Sequence, residues 1–239
     1  MPSTGRKSKL DVLRAIHQGL IVSCQALEDE PLHGPMIMAA MARAVHLGGA
    51  VGIRTNGKYE VEVIKKITGL PVIGIQKVTN EAGEMAITPA FALARDLVEA
   101  GADIIAVDVR QNRPFGEPLE ELLPRIRREL GVPVMADCAS IEDARAAAAI
   151  GVDIIASTFG FKEGPLGSEP GFDLLEAMLQ LDVPVVAEGG FWYPEQVVQA
   201  LEMGVWSVVV GSAITRPLEI TKRFVKACCH AAAGQKKIG

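Results

Sequence analysis

The chain alternates short apolar runs with longer amphipathic segments from beginning to end, and this repeat constrains its fold more than any other feature. Glycine stands directly before an apolar run in four segments: LGGAVGI, AGADIIAVD, IGVDIIAS and MGVWSVVVG. Glycine at such a point is typical of a helix end that turns into a strand. In three other segments proline leads an apolar run that ends in a polar residue: LPVIGIQK, VPVMADC and VPVVAEGG. The repeat predicts strands and helices in regular alternation.

Eight runs have the length and composition of strands, and several are apolar throughout, as expected for strands buried on both faces of a parallel sheet. They are Gly19–Ser23, Ala50–Arg54, Val72–Ile75, Ile104–Asp108, Val132–Asp137, Ile154–Ser157, Val183–Glu188 and Ser207–Val210. Small and apolar residues at helical spacing predict crossover helices between them. The helices are expected at Met36–Leu47, Tyr59–Thr68, Pro89–Ala100, Ile141–Ile150 and Pro194–Met203.

The predicted fold is α/β, a single (β/α)8 TIM barrel that forms one catalytic domain over residues 1–239. The length of 239 residues is close to the ~250 typical of this fold. An extra amphipathic helix at Leu10–His17 is expected to cover the bottom of the barrel, and residues 1–8 and 234–239 are expected to be flexible tails. A doubly wound open sheet is the alternative. The evenness of the repeat and the absence of GxGxxG after the first strand disfavour it.

Composition excludes several classes of partner. The formal net charge of −5 disfavours nucleic acid, which requires a basic face. No segment reaches the ~18 apolar residues of a membrane span, and the N-terminus lacks the apolar core of a signal peptide. The four cysteines show no Cys/His spacing of a zinc site, so no metal is expected. These features indicate a cytoplasmic protein.

Polar residues are concentrated where the predicted strands end. In a barrel of this kind the carboxyl ends of the strands face the active-site mouth. The residues at or just after these ends include Gln25, Arg54, Lys77, Asp108, Arg110, Asp137, Ser157, Thr158, Glu188, Gly211, Ser212 and Arg216. Because both signs of charge converge on one rim, we expect them to pair around a polar substrate.

Lys77 is the strongest candidate for chemistry, since it follows the apolar run PVIGIQ and is expected to project into the mouth. Desolvation and a neighbouring cation such as Arg54 would lower its pKa and make a neutral amine accessible as a base. A Schiff base with a carbonyl substrate is the alternative. Glu188 is its natural partner in proton transfer, and Asp137 can orient the lysine or bind a hydroxyl.

The last two strands are followed by glycine-rich turns, EGG and VGSAIT. Backbone N–H groups in such turns approach a phosphate closely, and barrels often bind phosphate with these two loops. Arg216 can add a charge-assisted contact. The sequence therefore predicts a small phosphorylated substrate.

Several segments together resemble the N-acetylmannosamine-6-phosphate 2-epimerase family, also called N-acylglucosamine-6-phosphate 2-epimerases. They are SCQALEDEPLHGP, GGAVGIRTNG, LPVIGIQK, ITPA, AGADIIAVD, MADCAS, VPVVAEGG and VVVGSAITRPLEITKRF. The similarity extends from about residue 18 to about residue 226, which is nearly the whole chain.

The resemblance implies a (β/α)8 barrel that epimerises C2 of N-acetylmannosamine 6-phosphate in sialic acid and amino-sugar catabolism, without a cofactor. It implies Lys77 and Glu188 as catalytic residues, with Lys77 removing the C2 proton and Glu188 either returning a proton or assisting ring opening. The implied substrate contacts are Gln25, Arg54, Asp137 and Arg216, and the implied phosphate site is formed by Gly189, Gly190, Gly211 and Ser212. A homodimer is the expected assembly.

The chain departs from the family pattern in two regions. After the sixth strand it carries STFGFKEGPLGSEPG in place of a TSGYT-like loop. It also has Gly190 after AEG and Ala86 before ITP, where the family has a basic or polar residue and an aromatic one. These departures bear on the N-acyl pocket or on substrate preference. Two other functions stay open: a Schiff-base aldolase acting on a related phosphosugar, and a sugar-phosphate-binding barrel without turnover.

Overall fold

A computed structural model describes residues 8–26 and 28–235, with the backbone alone for residues 230–235. The strands in chain order are β1 (Leu20–Cys24), β2 (Gly52–Asn56), β3 (Val72–Ile75), β4 (Lys77–Thr79), β5 (Met85–Ile87), β6 (Ile104–Asp108), β7 (Val134–Asp137), β8 (Ile154–Ala156), β9 (Lys162–Gly164), β10 (Gly167–Glu169), β11 (Val185–Glu188) and β12 (Ser207–Val210). Eight of them close into a parallel barrel in the order β1-β12-β11-β8-β7-β6-β3-β2.

The predicted barrel is confirmed, and the open-sheet alternative is wrong, because β1 pairs with both β2 and β12. All eight predicted strands are present, with ends that differ by at most two residues. The alternation along β6 shows how the barrel is filled. Ile104 and Ala106 belong to the inner core, whereas Ile105 and Val107 pack outward against the helices.

The helices are α1 (Lys9–Ala15), α2 (Pro35–Leu47), α3 (Lys58–Thr68), α4 (Phe91–Glu99), α5 (Leu119–Arg125), α6 (Ile141–Ile150), α7 (Phe172–Met178), α8 (Pro194–Glu202), α9 (Ser212–Thr215) and α10 (Pro217–Gln235). A π-helical turn at Ile126–Leu130 continues α5. Each of the five crossover helices predicted from the sequence is present within two residues at either end. Their apolar faces cover the outside of the barrel.

Two antiparallel hairpins were not predicted. The hairpin β4–β5 is inserted between β3 and α4, and the hairpin β9–β10 between β8 and α7. Both follow the carboxyl end of a barrel strand. The insertions therefore stand at the mouth, where loops of this fold carry the active site.

Helix α1 closes the opposite end, as predicted for Leu10–His17. Val12 and Ile16 are buried among side chains of the barrel interior. The indole Nε1 of Trp206 donates to the carbonyl of Leu13 at 2.9 Å, and the ring of His17 stacks on this indole with centroids 4.2 Å apart. The inner core is thus sealed at the bottom.

Two aspartates fasten the amino ends of barrel strands. Asp103 accepts the N–H of Val72 at 2.8 Å and pairs with Lys65 at 2.6 Å. Asp153 repeats the arrangement with the N–H of Val134 at 2.9 Å and with Arg127 at 3.0 Å. These acidic groups account for the GAD and GVD segments of the repeat.

Of the two predicted flexible tails, only the inner edges fall in the described part. Ser8 caps α1 by accepting the N–H of Asp11 at 3.2 Å, and residues 234 and 235 lie in α10. Residues 1–7 and 236–239 lie outside the described residues. Within the described part, no helix combines the length and the apolar character that crossing a membrane requires.

Candidate active site

A cavity of about 380 Å³ opens at the carboxyl ends of the strands. Eight of the ten predicted site residues line it: Gln25, Lys77, Glu188, Gly189, Gly190, Gly211, Ser212 and Arg216. The remaining two, Arg54 and Asp137, lie beneath the cavity and are almost completely buried. The structure thus brings the residues of the strand-end pattern together at one cavity.

Arg54 and Asp137 form a two-point ion pair below the floor of the cavity. Nη1 and Nη2 of Arg54 donate to the two carboxylate oxygens of Asp137 at 3.0 and 2.7 Å. Nη1 also lies 3.1 Å from Oε2 of Glu188, and Thr158 Oγ1 donates to Asp137 at 2.6 Å. Burial by itself lowers the pKa of the guanidinium, but the two carboxylates together outweigh burial and raise it. Arg54 is therefore a fixed cation under the site.

Lys77 is the first residue of β4, so it sits on the inserted hairpin and not on a barrel strand. Burial in the mouth lowers the pKa of its ammonium group to about 8. The cations Arg54 and Arg216 lower this pKa further, while the carboxylates of Glu188 and Asp137 oppose them. The neutral amine of Lys77 is therefore far more accessible near neutral pH than that of a lysine in water.

Glu188 ends β11 and is shifted in the opposite direction. Burial raises the pKa of its carboxyl group to about 7, and Asp137 raises it as well, against the cations Arg54 and Lys77. Its backbone is fixed by Ser157, whose Oγ accepts from the N–H of Glu188 at 3.0 Å and donates to its carbonyl at 2.9 Å. The cavity thus holds a base and an acid whose pKa values approach each other near neutrality.

Gln25 presents an unused acceptor to the same cavity. Its Nε2 donates to Ser23 Oγ at 2.7 Å, whereas its buried Oε1 has no hydrogen-bond partner among the described residues. Buried polar atoms are rarely left without a partner. A hydroxyl or amide N–H of a bound molecule could donate the missing hydrogen bond to Gln25 Oε1.

The glycine-rich turns lie on the other side of the cavity, together with Arg216. Arg216 follows the short helix α9, which begins at Ser212, and its Nη1 lies 3.5 Å from Ser212 Oγ. Its other nitrogens pair with Glu30, with 3.1 Å between Nε and Oε2. Glu30 also lines the cavity, so an arriving anion would compete with this carboxylate for the arginine.

Two departures from the family pattern, the loop after β8 and Gly190, meet in space. Gly190 has a φ of +78°, and a Cβ built there would lie 2.3 Å from the backbone carbon of Glu169 in β10. The loop after β8 therefore lies directly on Gly190, where no side chain fits. Trp192 Nε1 reaches Ser168 Oγ of the same loop at 3.4 Å. The altered loop and the glycine form one rearranged wall.

Sequence analysis did not single out several residues that line the cavity, among them Glu30, Asn56 and Ser168. Asn56 is the last residue of β2, so the strand-end pattern could have found it. Glu30 and Ser168 lie in irregular or inserted segments, and no periodicity marks them. Among the described residues, no group of His, Cys, Asp and Glu is arranged to hold a metal ion.

Comparison with known proteins identifies the family. The family model described as "Putative N-acetylmannosamine-6-phosphate epimerase" matches residues 38–230. A protein of Caldanaerobacter subterraneus subsp. tengcongensis with the corresponding 2-epimerase description is 45% identical over 222 residues, or 91% of this chain and 94% of that protein. One from Clostridioides difficile is 47% identical over 212 residues, or 87% and 95% of the two chains.

A solved structure agrees with these relatives. The N-acetylmannosamine-6-phosphate 2-epimerase of Clostridium perfringens superposes with a TM-score of 0.85 and 36% identity, covering 95% of this chain and all of that one. The family match spans well over half of the chain, and the relatives span nearly all of it. The chain belongs to the N-acetylmannosamine-6-phosphate 2-epimerase family.

Proposed function

We propose that this protein interconverts N-acetylmannosamine 6-phosphate and N-acetylglucosamine 6-phosphate by removing and returning the proton at C2. One observation carries the proposal: a lysine with a lowered pKa and a glutamic acid with a raised pKa line one cavity. Pairs of titratable groups whose environments shift them in this way mark acid and base roles. Membership in the epimerase family supports an isomerase role for this pair.

Lys77 is the base in this proposal. In the open-chain sugar, the C1 aldehyde makes the C2 proton acidic. The neutral amine of Lys77 takes that proton, and the C–H electron pair moves into an enolate between C1 and C2. Arg54 and Arg216, which both lower the pKa of Lys77, supply positive potential that stabilises this developing negative charge. Return of a proton to the opposite face of C2 inverts the centre.

Glu188 is the acid. With a pKa raised to about 7, a large share of the group is protonated near neutral pH, which a carboxyl in water is not. Two steps require an acid: opening of the sugar ring and return of a proton to C2. Arg54 and Asp137 lie under the cavity floor in contact with Glu188 or with its partners. We propose that both tune Glu188 and lie within reach of the sugar's polar groups.

Substrate binding is assigned to the rest of the mouth. Gln25 Oε1 accepts a hydrogen bond from the sugar. Arg216 and the turns at Gly189, Gly190, Gly211 and Ser212 bind the phosphate, since backbone N–H groups and a guanidinium together suit a dianion. The cavity of about 380 Å³ is of the size that small ligands occupy.

Incubation with N-acetylmannosamine 6-phosphate in D2O tests the proposal directly. The wild type should convert the sugar and incorporate deuterium at C2, and Lys77→Ala should do neither. Wild-type binding without exchange would overturn the proposal and favour a sugar-phosphate-binding barrel. Irreversible trapping by borohydride in the presence of the sugar would favour the Schiff-base aldolase, because the epimerase forms no covalent bond to substrate.

Glu188→Gln separates the two acid roles. If Glu188 returns the proton to C2, this variant still exchanges the C2 proton of the starting sugar but forms no epimer. If Glu188 opens the ring, exchange and conversion fall together, and an analogue that is already acyclic restores exchange. Equal activity of variant and wild type would remove Glu188 from the mechanism.

The assembly and the compartment belong to the same proposal. A homodimer is supported by the exposed apolar side of α10, where Phe224 is 71% and Val225 is 55% exposed. Light scattering should give twice the mass of one chain, and Phe224→Glu should move the mass toward one chain; a wild type of single-chain mass would contradict the dimer. A cytoplasmic location is supported by four cysteines that are all free.

A further inference from the structure

Lys77 stands on a small element that cannot hold its own position. The hairpin β4–β5 consists of two three-residue strands, Lys77–Thr79 and Met85–Ile87, and it is not part of the barrel sheet. Two-stranded ribbons are at best marginally stable by themselves. The backbone that carries the lysine must therefore be fastened from outside the hairpin.

One fastening comes from the neighbouring barrel strand. Oδ1 of Asn56, the last residue of β2, accepts the backbone N–H of Lys77 at 2.7 Å. Asn56 is itself fixed, because it pairs in register with Ile75 of β3. This bond joins the backbone of the lysine to the rigid wall of the barrel.

A second fastening closes the base of the hairpin. Thr88 accepts the N–H of Gln76 with its Oγ1 at 3.1 Å, and its own N–H donates to the carbonyl of Gln76 at 2.7 Å. Thr88 is completely buried and has a φ of +48°. Among the described residues, Gln18 is the only other non-glycine residue with a positive φ.

The conformation of Thr88 is costly for a β-branched side chain. A threonine in the left-handed region is a genuine outlier, and such residues persist where the surrounding structure holds them. Glycine or asparagine would relieve the strain but would lack the hydroxyl that accepts from Gln76 in this geometry. Threonine at position 88 thus supplies the Oγ1 acceptor for Gln76 at the cost of a strained backbone.

We propose, on the basis of the proposed function, that Asn56 and Thr88 are positioning residues that clamp the backbone on either side of Gln76–Lys77 and thereby aim the lysine amine at C2. A lysine side chain is long and flexible, so the placement of its backbone decides how often its amine meets the substrate. A misplacement of about 1 Å at a reacting group can cost about 100-fold in rate. The clamp acts on catalysis through Lys77 and touches no reacting atom.

The test compares steady-state kinetics and C2 exchange across two matched pairs of variants. Asn56→Ala and Thr88→Gly each remove an acceptor and should lower kcat by roughly 10- to 100-fold, with KM changed less than twofold. Thr88→Ser keeps the hydroxyl and should restore most of kcat. Asn56→Asp keeps the acceptor but adds a charge, so its maximal rate should recover while the alkaline limb of the pH profile moves upward.

Gln18→Gly is the control for relief of backbone strain. Gln18 has a φ of +52°, lies at the bottom of the barrel, and uses its backbone N–H to bind the carbonyl of Trp206, which glycine preserves. Its kcat should equal that of the wild type. A Thr88→Gly variant that is as stable as the wild type and still slow separates positioning from folding.

A readout without substrate distinguishes the clamp from the function itself. Reductive methylation with ¹³C-formaldehyde labels lysine amines, and the signal that is lost in Lys77→Arg is assigned to Lys77. In the wild type the signal should titrate near pH 8, and in Asn56→Ala and Thr88→Gly its pKa should move toward the ordinary 10.5 as the amine leaves the mouth.

Unchanged titration and kcat within threefold of wild type in both variants would overturn the clamp. A KM increase at constant kcat in Asn56→Ala would make Asn56 a substrate contact instead. Failure of the wild type to exchange C2 would refute the proposed function and leave the titration result standing.

Discussion

Replacement of Asp137 by asparagine removes one charge from the buried centre of the site. The carboxylate is fully buried and accepts three hydrogen bonds, two from Arg54 and one from Thr158. Asparagine has the same shape, but its side chain carries no negative charge, and its amide NH2 would face the NH2 of the guanidinium. Arg54 then keeps one hydrogen bond, to the remaining amide oxygen, and its charge is balanced only by Glu188 at 3.1 Å.

The size of the effect follows from two independent arguments. At a separation of about 3 Å and an effective dielectric constant of about 20, a pair of unit charges interacts by roughly 5 kcal/mol. Removal of one partner from a buried pair costs about 3–5 kcal/mol. Because Glu188 compensates in part, we expect a loss near 3 kcal/mol, which for a chain of this size lowers Tm by roughly 6–12 °C.

Differential scanning calorimetry measures this loss, with Asp173→Asn as the matched control. Asp173 pairs with Lys162 on the surface, where its side chain is 84% exposed, so the control should leave Tm unchanged. A second readout is the activity profile: Asp137 raises the pKa of Glu188, so Asp137→Asn should move the acid limb to lower pH. A Tm within 2 °C of wild type, or a limb moved to higher pH, would refute the electrostatic reasoning.

Three further predictions concern the mouth. In the proposed mechanism the active state has neutral Lys77 and protonated Glu188, so kcat/KM should rise through a pKa near 7, fall through one near 8 and peak between them; a profile flat from pH 6 to 9 would exclude the pair. Gly190→Ala places a Cβ on the backbone of the loop after β8, so KM should rise and stability fall by about 1–3 kcal/mol, and an unchanged Tm would contradict the contact. Glu30→Gln removes the closest carboxylate from Arg216 and leaves, among the described residues, only the 3.9 Å contact with Glu219, so inorganic phosphate should inhibit several-fold more tightly, and weaker inhibition would show that Glu30 chiefly orients the arginine.

The barrel was predictable because its signal is local and repeated. Each barrel strand is a buried apolar run, and the glycine or proline beside it limits where the strand can begin or end. The hairpins β4–β5 and β9–β10 escaped prediction because three residues are too few to show an alternating pattern. Segments such as KEG and GSE contain no apolar residue at all. Their pairing depends on contacts at the mouth that only the folded chain provides.

The site was predictable to the extent that strand ends define it. Lys77 and Glu188 were found because each follows an apolar run, although Lys77 belongs to the hairpin. Glu30 was not found, since an acidic loop residue gives no sign that it pairs with Arg216, 186 positions away. The placement of Arg54 and Asp137 below the floor also depends on barrel geometry. Ion pairs between residues of distant strands, such as Arg54 and Asp137, form only when the strands close into a barrel, and no local sequence pattern predicts them.

The electrostatics of the mouth suit a reaction that runs in both directions. In the proposed mechanism, removal of the C2 proton in one direction requires neutral Lys77 and protonated Glu188. One turnover, in which Lys77 takes a proton from C2 and Glu188 gives one to it, leaves Lys77 charged and Glu188 ionised. Both states hold the same number of protons, so pH does not choose between them. Burial lowers the pKa of Lys77 to about 8 and raises that of Glu188 to about 7, so the charged and neutral states of the pair lie close in free energy. Arg54 lowers the pKa of Lys77 and that of Glu188, so it shifts the pH range of the pair without enlarging the difference between the two pKa values. In the proposed mechanism, a near balance between the two states would let the pair start from either epimer, because each direction begins from one of the two states.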